Sequence, residues 1–145
     1  ETAKNMRVNS AALASYLTES TGIGASSLNQ TSCTAESPCT PEQIAANDLA
    51  HLVETLKGSN SRIETSQDIE GVTVVSSRST GGLLDAVACI SGPANGGNGL
   101  YSIAIAWRGI TALKNPANHS CGASSDNYGN NNELRRLVFL ELFIG

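Results

Sequence analysis

Positions Ala3, Met6, Ser10, Leu13 and Leu17 recur at steps of three and four, with Lys4, Asn5, Arg7 and Asn9 between them. That spacing places the five on one helical face and predicts an amphipathic helix over 1–17. Glu1 offers no N-cap, so the helix is expected to continue upstream of it. Gly22 and Gly24 end the periodicity, and 24–39 reads as a Ser- and Thr-rich loop. A second helix is predicted over 40–57. Thr40, Pro41 and Gln43 form a capping box with proline at the first helical position, Lys57 and Gly58 supply the stop, and Ala45, Leu49, Leu52, Val53 and Leu56 make the buried stripe.

After Gly58 the period changes from helical to twofold. Val72 to Val75 predicts a first strand, Gly81 and Gly82 a tight turn, Leu83 to Ser91 a second strand, Asn95 to Gly99 another turn, and Tyr101 to Arg108 a third strand. In that third strand Tyr101, Ile103, Ile105 and Trp107 share one face and Ser102, Ala104 and Ala106 the other. The large face is expected against the first helix, under Met6, Leu13 and Leu17. The small face is expected to lie exposed or close to another layer. Leu134 to Ile144 reads as a fourth strand, after a long Asn-rich connection over 109–133 that needs a staple or a function. The expected fold class is α+β: two helices, then a four-stranded antiparallel sheet over 69–144, in one domain spanning the chain.

Charge narrows the partners. Only 15% of residues are charged and the formal net charge is -4, so no basic field exists to attract nucleic acid. The longest apolar runs, Ala86 to Ile90 and Ile103 to Trp107, fall far short of the roughly 18 residues that cross a bilayer. Four cysteines in a short, Asn- and Ser-rich chain point to an oxidising compartment and two disulfides. Of the three possible connectivities, Cys33 with Cys39 and Cys89 with Cys121 is favoured, the first closing a short loop and the second stapling the long connection.

Chemistry-bearing motifs are weak. Lys4, Lys57 and Lys114 do not follow a phosphate-binding glycine loop, and no G-x-S-x-G elbow accompanies the two histidines, His51 and His119. Asp126, Tyr128, Asn130, Asn132 and Glu133 offer oxygen atoms, but the spacing of a calcium loop is missing. No catalytic residue, metal or other cofactor is expected. Asn29 and Asn118 open N-x-Ser/Thr sequons. Arg135 and Arg136 point to opposite faces of the last strand, as a rim charge or as a partner for a helix carboxylate.

Four segments, in order along nearly the whole chain, carry a resemblance. Met6-Arg7-Val8-Asn9 with Tyr16 resembles the region after the membrane helix of PilV-type minor pilins, and Cys39 through Leu49 is similar to their Cys-led helix. Tyr101 through Arg108 resembles their Tyr-to-Trp strand, and Cys121 followed by Arg135 and Arg136 resembles their closing cysteine and arginine-bearing last strand. Asn47 and Leu52 stand where that family carries aromatic residues.

The resemblance implies a structural protein of the type IV pilus with a pilin-like fold, made with an upstream hydrophobic helix and held in the inner membrane with its globular part in the periplasm. It implies priming of fibre assembly with minor pilins of the PilW, PilX, PilE and FimU or FimT types, contact with the major pilin, display of a PilY-type adhesin at the fibre tip, and twitching motility. The partner surface is then expected on the loops 24–32 and 117–132, represented by Ser26, Asn29, Asn118, Asn127 and Asn130. Two rival readings are a type II secretion minor pseudopilin and, in another class, a secreted carbohydrate-binding module built on an exposed aromatic platform.

Overall fold

The computed structural model describes residues 1–18, 22–24, 28–59, 62–69, 72–79, 81–116 and 118–145. The first predicted helix is broken in two. An α-helix, α1, covers Thr2–Val8, and a 3₁₀ segment follows over Ser10–Tyr16. Asn9 leaves helical geometry at φ -99°, ψ 47°, and Ala12 does so again at φ -126°, ψ 33°. Asn9 is buried and its Nδ2 donates to the Pro41 carbonyl at 2.7 Å and to Tyr16 Oη at 3.3 Å. Asparagine has modest helix propensity to begin with, and here its side chain is engaged across to the start of the next helix. Met6 is buried on α1, and Leu13 and Tyr16, three residues apart, are buried on the 3₁₀ segment; Leu17, four residues from Leu13 and so a third of a turn off at three residues per turn, is half-buried, and Ser10 faces solvent.

The second helix, α2 (Pro41–Leu56), is capped as expected: Thr40 Oγ1 accepts from the Gln43 amide, and the Gln43 side chain takes the Thr40 amide. Ala45, Leu49, Ala50, Val53 and Leu56 are buried, whereas Leu52, expected in that stripe, is half-buried at its edge. Gly58 follows with φ +70°. A Cβ there would lie 0.9 Å from the Gly81 carbonyl oxygen, so only glycine allows these two backbones to touch.

Among the described residues five strands form two antiparallel sheets. β1 (Arg62–Ile69) pairs with β2 (Val72–Ser79), and β3 (Val87–Ser91), β4 (Gly99–Arg108) and β5 (Arg135–Ile144) form the second sheet in that order. This corrects the expected single four-stranded sheet over 69–144. β2 pairs back onto β1, a strand whose polar sequence RIETSQDI hides it. Gly81 and Gly82 do not turn one paired strand into another but lie against Lys57 and Gly58. The second sheet's first strand starts at Val87 rather than Leu83, and its other edge carries an isolated antiparallel bridge between Ala88 and Ile23.

Each face of the three-stranded sheet is covered in part. On one, Met6, Leu13 and Tyr16 join Ala45 and Leu49 of α2 over Ile90, Tyr101, Ile103, Leu142 and Ile144. The helices therefore sit toward the Tyr101 end of β4. Ile105 and Trp107, expected beneath the first helix, are half-buried and outside that core. On the other face the small residues Ala104 and Ala106, with Cys89 beside them in β3, lie under Cys121 and Tyr128, so the layer near the small face is the 109–134 connection, here called the strap. The disulfides are Cys33–Cys39 and Cys89–Cys121, with Cα atoms 5.2 and 5.7 Å apart. No helix of the described residues is long and apolar enough to cross a membrane.

Candidate interaction surface

The strap is held from within the sheet. Arg135, the first residue of β5, is 1% exposed. Its Nε donates to Asn115 Oδ1 at 3.0 Å, its Nη1 to the Cys121 carbonyl at 2.6 Å, and its Nη2 to the Pro116 carbonyl. Burial lowers the guanidinium's pKa, while neighbouring Tyr128 pulls the other way. Arg136 donates to the carbonyls of Thr111, Glu133 and Arg135 itself. Neither arginine is simply a rim charge, and the acceptors seen are backbone or amide oxygens rather than a helix carboxylate.

The Asn-rich stretch has its own internal bonding. Tyr128 is buried and its hydroxyl donates to the Asp85 carbonyl at 2.7 Å; burial, then the charge of Asp85, pushes its pKa up to about 12, against the opposing pull of Arg135. Asn132 Nδ2 donates to the Ala123 carbonyl at 2.8 Å, and the Glu133 carboxylate accepts from the Asn131 amide at 2.9 Å. Its own backbone amide and that of Asn131 hold the Glu133 carboxyl below the usual range. The oxygen-rich residues thus brace the strap. Gly122, at φ +69°, lets it turn against the Tyr128 ring, where a Cβ would lie 2.9 Å from Cε2.

The loop residues expected to meet partners are dispersed. Ser26 lies outside the described residues. Asn29, Asn118, Asn127 and Asn130 are exposed. Asn118 borders a depression of about 290 Å³ beside the Cys89–Cys121 bridge, shared with Thr18 and His119, whereas Asn127 borders another of about 190 Å³ shared with Lys57 and Asp85. The two are not brought into one recess.

An apolar groove is the larger feature. It has a volume of about 470 Å³ and runs between the start of α1, the last turns of α2 and the sheet, with Ala3, Leu52, Ile105, Val138 and Leu140 among its walls and Asp48 and His51 among its polar positions. It exists because the helices cover only the Tyr101 end of the sheet. Val138 and Leu140 of β5 stay exposed on this face and Phe139 and Phe143 on the other. β5 lies at the end of its sheet's strand order, and its apolar run, Leu137 to Leu140, was the available sequence signal for an open face.

Reactive groups are scattered. His51 is exposed beside the groove, while His119 lies on the opposite face, stacked on Phe139 with ring centroids 5.6 Å apart and accepting the Cys121 amide at Nδ1. Arg108 and Asp85 form an ion pair at 3.7 Å. Among the described residues no three of His, Cys, Asp and Glu gather as a metal-holding group. Comparison of the chain with protein-family models, with curated proteins and with solved structures returned no match.

Proposed function

We propose that the chain is the globular part of a PilV-type minor pilin, which acts by assembling with other minor pilins to prime a type IV pilus. The observation that carries this reading is where its four resembling segments meet. Met6 and Tyr16 from the first, Leu49 from the second, Tyr101 and Ile103 from the third and Leu142 from the last strand share one core. A resemblance spread over four separate stretches gains weight when those stretches are the ones that pack together. In this reading an upstream apolar helix anchors the protein in the inner membrane, the described part faces the periplasm and later the fibre tip, and minor pilins of the PilW, PilX, PilE and FimU or FimT types, the major pilin and a PilY-type adhesin are its neighbours. Low charge favours contacts that become effective once the anchoring helices hold the partners together.

The carbohydrate-module alternative is less well served. Tyr16, Tyr101 and Tyr128 are buried with their hydroxyls hydrogen-bonded, and Trp107 is half-buried. Deletion of the gene should remove surface pili and twitching motility, with restoration by the intact gene. Normal piliation with impaired protein secretion would move the reading to a type II secretion pseudopilin, and neither defect would end it.

A further inference from the structure

The two disulfides differ in their surroundings. Cys89 and Cys121 are 6% and 0% exposed and belong to the strap-side core. Cys33 is exposed and Cys39 half-buried, and neither belongs to a core cluster. Their sequence separation is 6, against 32 for the other bridge, so by loop entropy the short ring contributes the less to the fold. The ring is also held ready to close: the Ser37 amide donates to Thr34 Oγ1 at 3.0 Å and the Thr34 amide to the Ser37 carbonyl at 3.1 Å, a turn that keeps the two cysteines near each other. Outside it, Asn47 of α2 grips both backbone groups of Thr31, its Oδ1 accepting from the amide at 2.8 Å and its Nδ2 donating to the carbonyl at 2.8 Å. The same Nδ2 donates to Cys33 Sγ at 3.6 Å, a hydrogen-bonding distance for sulfur. The first amides of α2 are already taken, Gln43's by Thr40 Oγ1 and Glu42's by its own carboxylate. The donor beside the bridge therefore favours negative charge on Cys33 rather than on Cys39.

We propose that Cys33–Cys39 is a thiol–disulfide exchange site for small soluble thiols, with Cys33 as the sulfur that leaves and Asn47 as its positioning residue. An incoming thiolate bonds to Cys39 Sγ as the S–S bond breaks, and Cys33 departs with the electron pair beside the Asn47 N–H. A leaving thiol departs faster the lower its pKa, and a hydrogen bond to the thiolate lowers it. A second small thiol then displaces Cys39. The two incoming thiols end as their own disulfide, and the two cysteines take up the two electrons and two protons. Cys39 adjoins the α2 cap and Thr31 stays gripped by Asn47, so opening acts on the segment 31–40 and leaves both cores closed. The inference stands apart from the pilin reading, since it needs only this chain and a thiol.

The test incubates the folded 145-residue chain with reduced glutathione in the absence of denaturant, traps freed thiols with a maleimide and locates both labels by peptide mass spectrometry, with circular dichroism to verify the fold of each variant. A glutathione adduct on Cys39, a maleimide on Cys33 and an intact Cys89–Cys121 bridge are expected, with an unchanged circular dichroism spectrum and re-closure once glutathione is removed from an untrapped sample. Asn47→Asp keeps an acceptor for the Thr31 amide but sets a carboxylate beside Cys33, and should slow opening at least about threefold. The Cys33 thiol left by Cys39→Ala should alkylate at lower pH than the Cys39 thiol left by Cys33→Ala, and adding Asn47→Asp should remove that difference. A Cys33–Cys39 bridge that does not open, a Cys89–Cys121 bridge that opens as fast, an adduct chiefly on Cys33, or an Asn47→Asp variant that opens as fast as the unaltered chain would overturn the proposal.

Discussion

The Tyr16 hydroxyl donates to Oδ2 of Asp48, whose Oδ1 accepts from Asn5 Nδ2 at 2.9 Å. One carboxylate on α2 therefore ties together both halves of the broken N-terminal helix. Replacing Asp48 with Ala leaves a buried hydroxyl without its acceptor and should cost about 1 to 3 kcal/mol. Tyr16→Phe in that background should recover part of the loss, because it removes the orphaned group. Denaturant titration of the single and double variants measures this, and strictly additive effects would show that the two residues do not act together.

The strap has two fastenings at one point, since Cys121 is bonded to Cys89 through sulfur and to Arg135 through its carbonyl. Replacing Cys89 and Cys121 with Ala should cost about 3 to 4 kcal/mol by the chain-entropy estimate for a loop of this length. Arg135→Met should cost about 2 to 3 kcal/mol through unsatisfied buried carbonyls. Hydrogen exchange should rise over 110–134 in both variants before it rises in β4. Faster exchange in β4 than in the strap would contradict this order of loosening.

The two halves of the N-terminal segment offer an internal control. Leu13 is fully enclosed by the helix-side core, while Val8 is 80% exposed. Leu13→Ala should cost about 2 to 5 kcal/mol and Leu13→Asp should prevent stable folding. Val8→Asp should move the melting temperature by little. Equal effects of the two aspartates would mean that the segment does not dock as described.

Alkaline pH should unfold the chain through its tyrosines. Burial, then the hydrogen bond to Asp48, raises the Tyr16 pKa, against the opposing effect of Asn9, and burial first of all raises that of Tyr128 to about 12, from an unfolded value of 10.0. The fold thus favours the protonated phenols. Their contribution to stability is fully present below pH 10 and is lost as pH rises toward 12, because the unfolded chain releases protons that the folded chain retains. Tyrosinate absorbance should lag behind pH 10 and then rise together with loss of the circular dichroism signal. Full phenol titration near pH 10 in a chain that keeps its native spectrum would refute this.

What the sequence revealed follows from how locally each feature is encoded. The α2 cap is legible because Thr40, Pro41 and Gln43 act within one turn, and β4 because its large and small residues alternate. β1 escaped because a strand of mostly polar residues has no alternation to read. The break at Asn9 escaped because its cause lies at Pro41, far along the chain. Arg135 was noticed as a charge, but its acceptors are carbonyls, which every residue owns and no residue type announces. The groove depends on where the helices stop, which is a property of the assembled layers.

The contact between Gly58 and Gly81 has a consequence for how this chain tolerates change. Leu83 donates its amide to the Leu56 carbonyl at 2.8 Å, so the chain returns beside the point where it left α2. The paired strands β1 and β2 therefore lie on a detour with a closed gate. Its length and sequence are free to drift, or to be exchanged for another segment, without altering the distance the rest of the chain must span. A protein built this way can change what it displays on that detour while keeping the core that holds it.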